Sequence, residues 1–110
     1  MTKVTIYKRK DLYLGFLARE HADTVDDFGS VVCGSISALT LTSILSLNQI
    51  AHIDEKECII EQEDGHLLLR LEENVADSKE AQVILESLEV GLMAIQENYS
   101  KYIEIKIQEV

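Results

Sequence analysis

Polar and apolar positions alternate at the start of the chain. From Lys3 to Tyr7, Val4 and Ile6 fall on one side and Lys3, Thr5 and Tyr7 on the other, the period of a half-buried strand. A polar turn, Lys8 to Asp11, follows, and Leu12, Leu14, Phe16 and Ala18 then share a face of a second strand, the hairpin partner of the first. After a loop from His21 to Ser30 the period changes. From Val31 to about Leu47 the residues are apolar or small nearly all round, with Val32, Ile36, Leu39, Ser43 and Leu47 on one stripe. A helix with so little polar surface is expected to be central and buried, with Ser30 as its N-cap.

The second half repeats the scheme. Asn48 to Lys56 is a polar connection carrying His52. Cys58 to Glu61 and His66 to Leu71 read as two strands joined at Asp64-Gly65, a hairpin signal. Asp77 and Glu80 have the spacing of a capping box, and beyond them Ala81, Ile84, Leu85, Leu88, Leu92, Ile95 and Tyr99 recur at helical spacing. Tyr102 to Val110 closes the chain as a strand with Ile103, Ile105 and Ile107 inward. The order ββαββαβ, with two helices on one face of a mostly antiparallel sheet, is an α+β two-layer sandwich formed by residues 1–110 as one domain.

Composition narrows the function. The 110 residues are 46% hydrophobic and 27% charged, enough for one core without a disulfide or metal staple. The net charge of −10 disfavours contact with nucleic acid and favours a basic peptide or protein as partner. No apolar run reaches the roughly 18 residues of a spanning helix, and Met1-Thr2-Lys3-Val4 begins no signal peptide, so the expectation is a cytosolic protein without membrane contact. Cys33 and Cys58 have neither CxxC nor zinc-ligand spacing; free thiols are expected, with no metal and no cofactor.

Chemistry concentrates between Glu20 and Ser37. His21 ends a strand pattern, an acidic loop with Asp23, Asp26 and Asp27 follows, and Cys33 enters the helical run. A thiol near a helix start is shifted toward thiolate, and an imidazole across the loop completes a nucleophile–base pair. Backbone N–H groups near Cys33 and Gly34, unpaired if they lie in a first turn, would receive an oxyanion. Gly34 would leave room for substrate. Ser37, one turn on, shares the face of Cys33. Read singly, Cys33 and Cys58 are core residues, and His52 and His66 are solvent-facing beside turns.

His21-Ala22, the run Val32-Cys33-x-x-Ile36-Ser37-Ala38-Leu39, and Leu88-x-x-Gly91-Leu92-x-x-Ile95-x-x-x-Tyr99-x-x-Tyr102-Ile103 resemble the ribosomal-processing cysteine protease family, Prp, over nearly the whole chain. The resemblance implies a bacterial, cytosolic homodimer that removes the N-terminal extension of a large-subunit ribosomal protein, cutting after an aromatic residue. Cys33 would be the nucleophile and His21 its partner, with Ser30, Gly34 and Ser37 against the substrate. The family pattern has glycine before the histidine, where this chain has Glu20, and aspartate three residues before the cysteine, where it has Ser30. Serine supplies no negative charge to an imidazolium. The rival reading is a weakened or non-catalytic peptide-binding module of the same fold.

Overall fold

The computed structural model describes residues 1–20 and 27–110. Strands β1 (Thr2–Arg9) and β2 (Leu12–Glu20) lead into helix α1 (Asp27–Gln49); β3 (Cys58–Glu63) and β4 (His66–Leu71) form a second hairpin; a short helix α2 (Glu73–Ala76), helix α3 (Lys79–Tyr99) and strand β5 (Ile103–Glu109) follow. The sheet runs β3-β4-β2-β1-β5, antiparallel throughout except for the parallel pairing of β1 with β5. This is the expected two-layer α+β order, with α2 as an addition too short to show a period.

Register gathers the apolar rows on one face. Val4 stands between Ala18 and Ile105, and Ile6 between Phe16 and Ile107; Phe16 in turn meets Leu69. Val4, Phe16, Leu69 and Ile103 are all but sealed from solvent, in one core with Val32, Ile36 and Leu47 of α1 and Ala81, Leu85, Leu88 and Leu92 of α3. Each Val, Leu, Ile or Phe among them contributes about 1.5–3 kcal/mol. Gly91 lets the helices close on one another, since a Cβ there would lie 3.0 Å from Leu39 Cδ1.

A bulge in β2 lets both Tyr13 and Leu14 be buried, where simple alternation would bury only one. Gly15, at φ +144°, is required beside it, because a Cβ would fall 1.9 Å from the Leu69 carbonyl oxygen. The bare glycine stands between Tyr7 and Arg70, and the Arg70 guanidinium lies 4.5 Å over the Tyr7 ring.

Four sequence expectations are corrected. Helix α1 is already running at Asp27, so Ser30 lies within the helix and is not its cap. Phe28, Gly29 and Ser30 have modest helix propensity and read as loop. The helix is also not buried all round: Val31 is 66% and Leu45 58% exposed. The uncharged stretch Phe28–Gln49 is long and apolar enough by composition to cross a membrane, contrary to the run-length expectation, because its serines and threonines interrupt the apolar pattern without adding charge. One stripe of it packs on the sheet, where Thr40 and Ser43 are buried with their hydroxyls donating to the Ile36 and Thr40 carbonyls. Finally, the cap of α3 is Ser78, whose Oγ accepts from Ala81 N–H at 3.1 Å, and not Asp77. A capping box does form elsewhere, from Asp54 and Glu57 around the 3-10 turn Glu55–Glu57.

Candidate active site

A cleft of about 120 Å³ opens where the first half of α1 crosses the end of the sheet. Cys33, Ile36, Ser37 and Thr40 form its helical wall; Thr2, Ala18, Leu67 and Gln62 form its floor and far wall. Pairing aligns Gln62 with Leu67 and Leu67 with Ala18, so alternation places all three on the face beneath the helices. The Asp64-Gly65 turn brings this second hairpin to the cleft. The turn was legible in the sequence, but what it would stand against was not.

Cys33 is half-buried and Ser37, one turn on, is exposed on the same side. From Asp27 to Cys33 is six residues, nearly two turns. The N–H groups of Cys33 and Gly34 therefore belong to the i to i−4 ladder, and the expectation that they are unpaired first-turn donors is overturned. The dipole effect, confined to the first turn, is correspondingly weaker at the sulfur. Gly34 and Ser30 are exposed on α1 and do not line the cleft; nothing lies within 4 Å of a Cβ built on Gly34.

His21 lies outside the described residues, as do Asp23 and Asp26. Its point of attachment is described: Glu20, the last residue of β2, pairs with Thr2 of the cleft floor, and His21 follows it directly in the chain. Of the other two histidines, one lies away from the cleft and one at its rim. His52 is exposed beyond the far end of α1, roughly 24 Å along the helix axis from Cys33 at ~1.5 Å per residue. His66 touches the cleft rim, but pairing with Arg19 turns its ring to the outer face of the sheet, where Nε2 lies 3.2 Å from Glu61 Oε1.

Cys58 is half-buried at the start of edge strand β3. Burial, then the charges of Glu55, Glu57 and Asp54, push its thiol up from the ordinary value, and Sγ lies 3.4 Å from the Glu55 carbonyl oxygen. It is not joined to Cys33 in a disulfide. Among the described residues no group of three His, Cys, Asp or Glu is placed to hold a metal ion.

The fold recurs in known proteins. The essential ribosomal processing protease Prp from S. aureus, in complex with a substrate peptide, aligns with a TM-score of 0.81 at 26% identity, covering 98% of this chain and 100% of that one. The same protease with a covalently linked product peptide aligns at 0.79 and 24% identity, again over 98% and 100%. SMU.848 from Streptococcus mutans aligns at 0.81 and 19% over 100% and 99%, a likeness of fold. No curated protein matches the chain significantly. The family described as cysteine protease Prp matches residues 1–104, nearly the whole length, and the chain accordingly belongs to that family and is a cysteine protease.

Proposed function

We propose that this protein is a cytosolic endopeptidase that removes the N-terminal extension of a large-subunit ribosomal protein, with Cys33 as nucleophile and His21 as base and acid. His21 takes the thiol proton and the thiolate adds to the scissile carbonyl. Collapse of the tetrahedral intermediate breaks the C–N bond while the imidazolium protonates the leaving amine. Water, deprotonated by His21, then hydrolyses the thioester, which frees the acid and restores the thiol. Ser37 lies in the cleft beside the acyl group, whereas Ser30 and Gly34 lie outside it on the exposed face of α1. The S. aureus relative at 26% identity, a ribosomal processing protease seen with a substrate peptide, supports the substrate class.

One observation carries the reading. Cys33 opens into a cleft at the end of the sheet where β2 hands the chain to His21, while His52 lies beyond the far end of α1 and His66, at the cleft rim, has its Nε2 on Glu61. The test incubates wild type, Cys33→Ala and His21→Ala with the precursor ribosomal protein and follows the mass of its N-terminus. Loss of about a thousandfold or more in both variants is expected. Cleavage by Cys33→Ala contradicts the assignment. The weakened-module reading draws on the closed backbone ladder at Cys33 and on Ser30 in place of an acid. It predicts tail binding without cleavage in all three proteins.

We further propose that the protein acts as a homodimer through α1. Val31, Ala38, Leu41 and Leu45 form an exposed uncharged stripe on which two chains of net charge −10 can approach without juxtaposing carboxylates.

A further inference from the structure

Attack on a peptide carbonyl places negative charge on its oxygen, and a hydrogen-bond donor must wait there. Helix α1 withholds its backbone donors, because at Cys33 and Gly34 the N–H groups lie inside the ladder. Among the described residues, the donors left to consider are side chains of the cleft. Thr40 is 1% exposed and its hydroxyl is given to the Ile36 carbonyl at 2.9 Å. Thr2 is 7% exposed at the floor, and His66 is bound to Glu61 on the outer face. Two exposed donors remain among the described lining residues: Ser37, on the nucleophile's own helix, and Gln62, on the wall opposite.

We infer that Gln62 is a catalytic residue whose Nε2 group donates to the oxyanion formed when Cys33 attacks. Its register with Leu67 and Ala18 points it under α1, and no other described residue engages its amide. In this assignment the substrate carbonyl lies between the walls with its carbon toward Cys33 on α1 and its oxygen toward Gln62 on β3. The amide carries two N–H donors and no charge, so it meets the developing negative charge without drawing a proton from the His21 pair.

This inference rests on Cys33 being the nucleophile, and its test separates the two claims. Gln62→Ala and Gln62→Glu are assayed for kcat and KM on a peptide spanning the processing site. Peptide affinity is measured in the Cys33→Ala background, and inhibition by the corresponding peptide aldehyde is measured with Cys33 present. The thiol adds across the aldehyde carbonyl, so the hemithioacetal oxygen occupies the oxyanion position. Expected are a fall in kcat of about tenfold or more for Gln62→Ala, a larger fall for the isosteric Gln62→Glu, and KM within about twofold of the parent. Aldehyde affinity should weaken in step with kcat while peptide affinity in the Cys33→Ala background stays constant. Unchanged kcat and aldehyde affinity in both variants of a protein that cleaves through Cys33 overturn the role of Gln62 alone. A parent that neither cleaves nor binds the aldehyde through Cys33 overturns the nucleophile and the role of Gln62 together.

Discussion

Two cysteines of similar burial stand in different electrostatic settings. Cys58 has its thiol raised by burial and by three neighbouring carboxylates, and its S–H group is directed at backbone carbonyls. Cys33 faces a cleft at the point where the chain continues into His21. At neutral pH iodoacetamide should modify Cys33 faster than Cys58, and His21→Ala should slow only Cys33, because alkylation follows thiolate fraction and access. Peptide mapping of the alkylated protein measures both rates; equal rates would remove the case for an activated nucleophile. The same shift at Cys58 has a stability consequence with a definite sign. A group held protonated in the folded state contributes fully below its unfolded pKa, near 9.0, and that contribution is lost as pH rises through the raised folded value. Replacing Cys58 by serine should therefore flatten the alkaline fall in stability, read from urea midpoints across that range.

At the scale of elements, the clearest joint is the one between β2 and α3. Gln82 accepts from Tyr13 N–H at 2.8 Å and donates to the Tyr13 carbonyl at 2.9 Å and to the Ala76 carbonyl at 2.9 Å, so one side chain stands in for a missing strand. Tyr13 OH donates to Glu89 Oε1 at 2.5 Å, and burial followed by Glu89 raises its phenol pKa well above the ordinary range. Gln82→Ala strands two part-buried backbone groups of β2, while the Ala76 carbonyl keeps its bond from Ser78 N–H, and should lower unfolding free energy by about 2–3 kcal/mol. An exposed neighbour such as Val83→Ala should change it by no more than about 0.5 kcal/mol. Chemical denaturation of the two variants makes the comparison. The stop of α1 is a second such place. His52, at φ 57°, closes it in the left-handed region, while Ile50 and Ala51 N–H bond the Ser46 carbonyl and Ile53 N–H bonds that of Leu47. His52→Gly relieves the Cβ strain there and should gain up to about 1 kcal/mol. These joints also mark how far the pattern of residues could be read. Helix α3 was plain from its seven apolar positions and β1 from strict alternation, since both signals are local. The start of α1 was hidden because Phe28, Gly29 and Ser30 carry no helical preference of their own. The four-residue α2 has no period, and Ser78 outcompetes Asp77 for the cap by geometry. In the site, Cys33 and Ser37 were visible as neighbours one helical turn apart. Gln62 was not, because only the packing of a distant hairpin brings it to the same cleft.

At the scale of the whole molecule, charge is the organising quantity. Twenty acidic against ten basic side chains leave a net charge of −10, yet no charged residue falls between Phe28 and Gln49, so repulsion between copies is weakest across α1. An interface on Val31, Ala38, Leu41 and Leu45 would be held by apolar burial and opposed by the field of the remaining surface. The two forces respond to salt differently. Raising ionic strength from about 0.1 M to 1 M shortens the screening length from ~10 Å to ~3 Å, which removes the repulsion while leaving apolar burial intact. Association should therefore tighten with sodium chloride, the reverse of an interface built from ion pairs. Sedimentation equilibrium across a salt series should show the dimer fraction rising. Val31→Lys with Leu45→Lys should abolish it, because each places an ammonium where a desolvated apolar contact would form. The variant should remain folded, since both side chains are more than half exposed in the monomer. A dimer that weakens with salt would place the contact on the charged sheet face, and a monomer at every ionic strength would leave the α1 stripe open to the substrate tail itself.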